Sequence, residues 1–108
     1  SWVSWNANNI AVTEFGDVVR FFHHRWPHCV ICLQEVSNWH EELRYHGWLA
    51  ITKKGNPSAV VLPQWLHKSI RAVEYGDRTV GVLVGSIAFI SSYLADSWKK
   101  YEDFANHS

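Results

Sequence analysis

Methionine is absent from the 108 residues, cysteine occurs only twice, proline three times, and neither sign of charge predominates. With no methionine the chain has no start residue of its own. Its first residues, "SWVSWNA", already read as a strand, so the expectation is a piece of a longer protein. Two cysteines three positions apart do not make the disulfide framework of a small secreted domain. They suit a reducing, intracellular compartment, nuclear or cytoplasmic. Lysine plus arginine equals aspartate plus glutamate at 10 each, so no global basic field points to nucleic acid. A nucleic-acid partner would have to be met by a local patch or by another part of the parent protein. No apolar run reaches the ~18 residues of a membrane helix, and no membrane partner is expected. No glycine-rich phosphate loop follows the first strand, which argues against a plain dinucleotide-binding fold.

What is present is a globular composition. Apolar residues make up 47% and charged residues 19%, which places the chain outside the disordered class. The length suits one small domain, burying roughly 65% of the surface its unfolded chain exposes. Seven tryptophans must be packed inside or face a partner.

Periodicity organises the chain. "WVSWN" alternates Trp2, Ser4 and Asn6 against Val3 and Trp5, a strand pattern, and the polar "NANN" reads as a link. Phe15, Val18, Val19 and Phe22 then recur on one helical face, with Thr13 or Glu14 at the start and His23, His24 and Arg25 at the negative end. Trp26-Pro27 ends the helix. "HCVICLQ" is a near-continuous apolar run, the mark of a strand covered on both faces, and completes a β-α-β unit. Asn38 is expected to cap a short helix over "WHEELRYH", closed by Gly47. Beyond it lie strands in "WLAITK", "SAVVLP", "SIRAVEY", "TVGVLVG" and "SIAFISSYL", followed by a helix over "DSWKKYEDFANH" behind an Asp96 or Ser97 cap. The expected architecture is an α/β (α+β) sandwich.

The stretch "HCVICLQEV" runs from a core segment straight into Gln34 and Glu35 with no turn residue between. A carboxylate at the carboxyl end of a buried strand lies where α/β sheets place ligands. The plainer reading is a strand that has reached solvent. Asn6 closes the first strand in the same way, with Asn8 two positions on. If the two strands are neighbours, Asn6 and Glu35 emerge side by side as an oxygen-rich half-site suited to Mg²⁺, with Mn²⁺ a substitute. Tyr93 ends the last strand as a third polar exit. Cys29 and Cys32, with His23, His24 and His28 nearby, invite a zinc reading. However, Val30 and Ile31 intervene inside a strand, and residues three apart in a strand face opposite ways, so the thiols are expected to pack as small hydrophobes. Lys53, Lys54, Lys68, Arg71 and Arg78 read as a modest basic face or as ordinary solvated charge.

The three exits in order, Trp5-Asn6, Leu33-Gln34-Glu35 and Ser92-Tyr93-Leu94, resemble the endonuclease/exonuclease/phosphatase superfamily of deoxyribonuclease-I-like fold. In that family an early strand ends in "WN", a later one in "LQE" and a further one in "xxY". "SSYLADSWKKYEDF" is most similar to the retroelement-encoded endonucleases. The resemblance implies the N-terminal half of a two-sheet, four-layer fold, over residues 1–108, with the C-terminal half-domain as its missing partner. It implies Mg²⁺-dependent phosphodiester hydrolysis, of nucleic acid in the parent protein. Glu35 would bind the metal, Asn8 would lie near its shell, Asn6 would contact the scissile phosphate, and Tyr93 would present its phenol to it. The family's water-orienting Asp-x-Asn strand end and terminal Asp-His pair do not follow Tyr93 here. The chain alone is therefore expected to be inactive and, with an apolar face uncovered, to self-associate. The alternative is a non-catalytic binding or interaction module, or a degenerate gene fragment, that retains half of the fold.

Overall fold

The structure, a computed structural model, describes residues 2–37, 39 and 43–93. Strand β1 (Trp2–Ala11) leads through a 3-10 turn, Val12–Glu14, into helix α1 (Phe15–Arg25) and back into β2 (Val30–Ser37), which lies parallel to β1. Three further strands, β3 (Leu43–Tyr45), β4 (Trp48–Ile51) and β5 (Ser58–Pro63), complete a sheet of order β1-β2-β5-β4-β3. A 3-10 segment, Gln64–Ser69, then leads to an antiparallel meander of β6 (Ile70–Tyr75), β7 (Thr79–Val84) and β8 (Ile87–Ser92). The domain is mixed α+β, with two sheets.

Side-chain alternation builds two cores from one central sheet. On β2, Ile31 and Leu33 face α1, where they meet the buried stripe of Phe15, Val18, Val19 and Phe22. Val30 and Cys32 face the other way, onto Val80, Val82 and Val84 of β7. Strand β5 divides likewise, Ala59 and Val61 toward the helix, Val60 and Leu62 toward the second sheet. Helix, five-stranded sheet and three-stranded sheet form successive layers. This explains why the strands of the central sheet read as unbroken apolar runs rather than alternating ones. Cys29 and Cys32 fall into opposite cores, both as buried free thiols, as expected of residues three apart in extended chain. Burial pushes the Cys32 thiol up to about 11 and raises that of Cys29 as well.

Two local expectations need correction. "NANN" is not a link outside the strand: β1 runs on to Ala11, with its register broken between Asn6 and Ile10. The expected helix over "WHEELRYH" is contradicted at its C-terminal end. Leu43–Tyr45 is a strand paired with β4, joined to it by His46 (φ 45°) and Gly47 (φ 81°). Positive φ at both central residues is the two-residue hairpin turn whose twist matches the flanking strands. Leu43 and Tyr45 turn inward and Arg44 outward, so the period of two prevails over the helix-forming composition. Helix α1 has Glu14 at its N-cap position, without a side-chain capping hydrogen bond. Asn38, residues 40–42, Leu94, Ala95 and the expected helix over "DSWKKYEDFANH" lie outside the described residues. No helix among the described residues is long and apolar enough to cross a membrane.

Candidate active site at the converging strand exits

The parallel pairing of β1 with β2 brings their carboxyl ends to one end of the domain, with Asn6 in register with Gln34. Strand β5 begins there, since Ser58 pairs with Gln34, and β8 ends there, since Ser92 pairs with Thr79. Asn6 and Glu35 do not close their strands as expected, because β1 runs on to Ala11 and β2 to Ser37. Glu35 sits within β2 at the break in register, and Tyr93, which follows β8, meets it from the other sheet. The Tyr93 phenol donates to Glu35 Oε1 at 3.2 Å, between residues 58 positions apart. Both side chains are half-buried.

Beneath this contact the two sheets are tied by polar groups. Gln34 Nε2 donates to Ser91 Oγ (3.0 Å) and to Ser4 Oγ (3.2 Å), and Ser91 Oγ donates to the Leu33 carbonyl (2.6 Å). Ser91 is fully buried, and a buried hydroxyl is tolerated because it is paired. The backbone above the tie is held in an unusual shape. Glu35 has φ 60°, and opposite it, inside the register break, Asn8 and Asn9 have φ 55° and 63°. Asparagine enters this left-handed region readily, whereas glutamate does so at a cost of about 1–2 kcal/mol. Asn6 Oδ1 accepts the Asn8 N–H at 3.0 Å, which closes the bulge and leaves the NH2 group as the donor end of the Asn6 amide. Val36 N–H donates to the Pro57 carbonyl at 3.0 Å, fixing the chain just past Glu35.

Of the residues singled out from the sequence, Glu35 and Tyr93 are therefore in contact. Asn6 stands across the strand pair from Gln34, and Asn8 lies in the bulge facing Glu35. The basic residues do not form one face. Lys53, Lys54 and Arg78 occupy the loops at this end, while Lys68 and Arg71 lie toward the other end of the second sheet, where Ile70 pairs with Val84. The sequence reading missed the Gln34–Ser91 tie and the part played by Asn56, although an asparagine before proline in "KGNP" is a recognisable turn signal. A mainly apolar surface hollow of about 430 Å³ lies between β1 and α1 around Trp5, Phe22 and Trp26 and includes neither Glu35 nor Tyr93.

The donor set suits a hard cation. Glu35 offers a carboxylate whose Oε2 takes no part in the Tyr93 bond, and Asn8 lies across the strand pair in the bulge; carboxylate and amide oxygens are ligand types of Mg²⁺ or Mn²⁺ sites completed by water and phosphate. Among the described residues no cluster of three or more His, Cys, Asp and Glu gathers, and the zinc pattern around Cys29 and Cys32 does not form. Comparison of the chain with protein-family models, with curated proteins and with solved structures gives no match in any of the three.

Proposed function

We propose that this end of the domain is the glutamate-bearing part of a Mg²⁺-dependent phosphodiester hydrolase site, of nucleic-acid endonuclease type, on half of a deoxyribonuclease-I-like sandwich. The observation that carries the reading is the Tyr93–Glu35 hydrogen bond, because the strand-exit pattern requires those two residues to meet and nothing local in the sequence forces them to. The helix–sheet–sheet layering and the bulge placing Asn8 opposite Glu35 support it further.

In this reading Glu35 holds the cation, with Asn8 close to the same shell. Once bound, the cation supplies charge neutralisation at a phosphate oxygen and at the leaving group. The single Tyr93 O–H is donated to the Glu35 carboxylate in the free site and would be redirected to a phosphate oxygen once Glu35 binds the cation. The Asn6 amide adds a donor to the phosphate oxygens, fixed in advance by its bond to Asn8. Neither an Asp-x-Asn strand end nor an Asp-His pair occurs within the 108 residues, so turnover requires a further segment of the parent protein, with nucleic acid as its substrate.

The test is metal binding by the 108-residue chain. Mn²⁺ should broaden the backbone amide resonances of Glu35, Asn8 and Tyr93 before those of the rest of the domain. Glu35→Gln, which keeps the shape and removes the charge, should abolish that broadening. The chain alone should leave supercoiled plasmid intact, whereas the parent-length protein should nick it and lose the activity with Glu35→Ala. Broadening that survives Glu35→Gln removes the residue from the site and leaves the rival reading, a binding module.

A further inference from the structure

The turn between β6 and β7 is held by more buried polar groups than a surface hairpin needs. Asn56, 6% exposed, donates from Nδ2 to the carbonyls of Gly76 (2.9 Å) and Thr79 (3.1 Å), while its Oδ1 accepts the Ser58 N–H (2.9 Å). Ser58, fully buried, donates from Oγ to the carbonyl of Arg78 (2.7 Å). That carbonyl also accepts the Tyr93 N–H (2.9 Å), and Gly76 N–H closes the turn on the Thr79 carbonyl (2.9 Å). A buried amide and hydroxyl are costly unless paired, and here both direct donors at this one turn. The Arg78 backbone is thereby fixed both to the start of β5, beside Gln34, and to the backbone of Tyr93.

The Arg78 side chain is exposed, with its guanidinium carbon 6.0 Å from the centroid of the Tyr93 ring. That is the outer limit of a cation–π contact, so the ring accompanies the guanidinium without enclosing it. The same ring carries the hydroxyl bonded to Glu35. Lys53 and Lys54 on the neighbouring loop and Asp77 beside Arg78 are all exposed, so net local charge does not select a ligand. A planar fork of donors on a fixed backbone does, because it matches two oxygens of a phosphate at once.

We infer that Arg78 is a phosphate-binding residue of the Glu35–Tyr93 site, its ligand the anionic oxygens of a phosphate or phosphodiester. The inference rests on the reading of that site as one for phosphodiesters. Arg78 offsets the repulsion between the Glu35 carboxylate and an incoming anion, and it does so from the Tyr93 side.

Amide resonances of the 108-residue chain, titrated with inorganic phosphate and separately with MgCl₂, test it. Phosphate should shift the amides of Arg78, Thr79 and Tyr93 in the unaltered chain. Arg78→Ala should weaken binding about tenfold or more, Arg78→Lys should recover part of the loss, and Arg71→Ala, at the far end of β6, should change nothing. Arg78→Gln, which keeps a polar stem without the charge, takes the place of Arg78→Ala if alanine disturbs the turn. Unchanged phosphate binding in Arg78→Ala, no shift at those amides, or equal weakening by Arg71→Ala overturns the inference. A Mg²⁺ response at Glu35 combined with unaltered phosphate binding in Arg78→Ala removes Arg78 alone. Phosphate binding lost with Arg78 but no Mg²⁺ response at Glu35 keeps Arg78 and removes the metal.

Discussion

Glu35 stands at φ 60°, and replacing it by glycine and by alanine separates what its backbone costs from what its carboxylate does. Both changes delete the same acid and the same bond to Tyr93, so their difference isolates the left-handed conformation. A residue with a Cβ bears about 1–2 kcal/mol there, and glycine does not. Against this, glycine adds roughly 0.5–1 kcal/mol of unfolded-chain entropy. The net expectation is that Glu35→Gly is more stable than Glu35→Ala by about 0.5–1 kcal/mol. For a domain of this size that corresponds to a few degrees in Tm, at roughly 4–8 °C per kcal/mol. Urea unfolding followed by tryptophan fluorescence measures it, with equal slopes required before the midpoints are compared. Both variants should fail to bind Mn²⁺. If alanine proves as stable as glycine, Glu35 is not held in the left-handed region, and the argument that its backbone is strained in the service of a site collapses.

Two further outcomes follow from the two cores and from the edges of the two sheets. The raised Cys32 thiol favours its protonated form in the fold, so its contribution is complete below about pH 9 and is lost as pH rises toward about 11; alkaline unfolding should therefore be blunted in Cys32→Ala, and a thiol reagent should react with Cys32 only after unfolding. Strands β1 and β8 are the edges of their sheets, and Trp2, Ile87 and Ile90 are 66%, 59% and 65% exposed, so the 108-residue chain should self-associate in sedimentation experiments and do so less with Ile90→Lys. A single sharp monomer across concentrations would contradict the latter.

The sequence disclosed most where one period dominated. Phe15, Val18, Val19 and Phe22 are all buried, and the run from Cys29 to Leu33 is buried on both faces, because spacing alone determines those placements. It was silent where short range and long range disagreed. Leu43–Tyr45 has helix-forming neighbours, yet these three residues pair with β4 across a His46-Gly47 turn and Tyr45 packs on Phe15 of helix α1. "NANN" is polar enough to pass for a loop, but Ala7 within it and Ile10 after it are buried, and the Ile10 carbonyl accepts the Trp39 indole N–H at 3.0 Å. The strand is held at both ends of its bulge and has to continue. For the candidate site, the exit of Tyr93 from β8 was legible, whereas β1 and β2 run on past Asn6 and Glu35. The meeting of Tyr93 with Glu35 followed only from the resemblance, since it depends on how one sheet lies over another, and no local pattern encodes that.

That dependence explains the polar pair one step below the site, a half-buried Gln34 and a buried Ser91. Two apolar sheet faces attract without direction, and by themselves they permit one to slide over the other. A slide of one residue, about 3.4 Å, would carry Tyr93 out of reach of Glu35 while leaving much of the hydrophobic burial unchanged. Gln34 and Ser91 remove that freedom. Their bond at 3.0 Å and the Ser91 bond to the Leu33 carbonyl exist in only one register. Any other would strand a buried donor at about 1–3 kcal/mol. Glu35 follows Gln34 directly, and Tyr93 follows Ser91 by two, so the register selected by this pair is the register that brings carboxylate and phenol together.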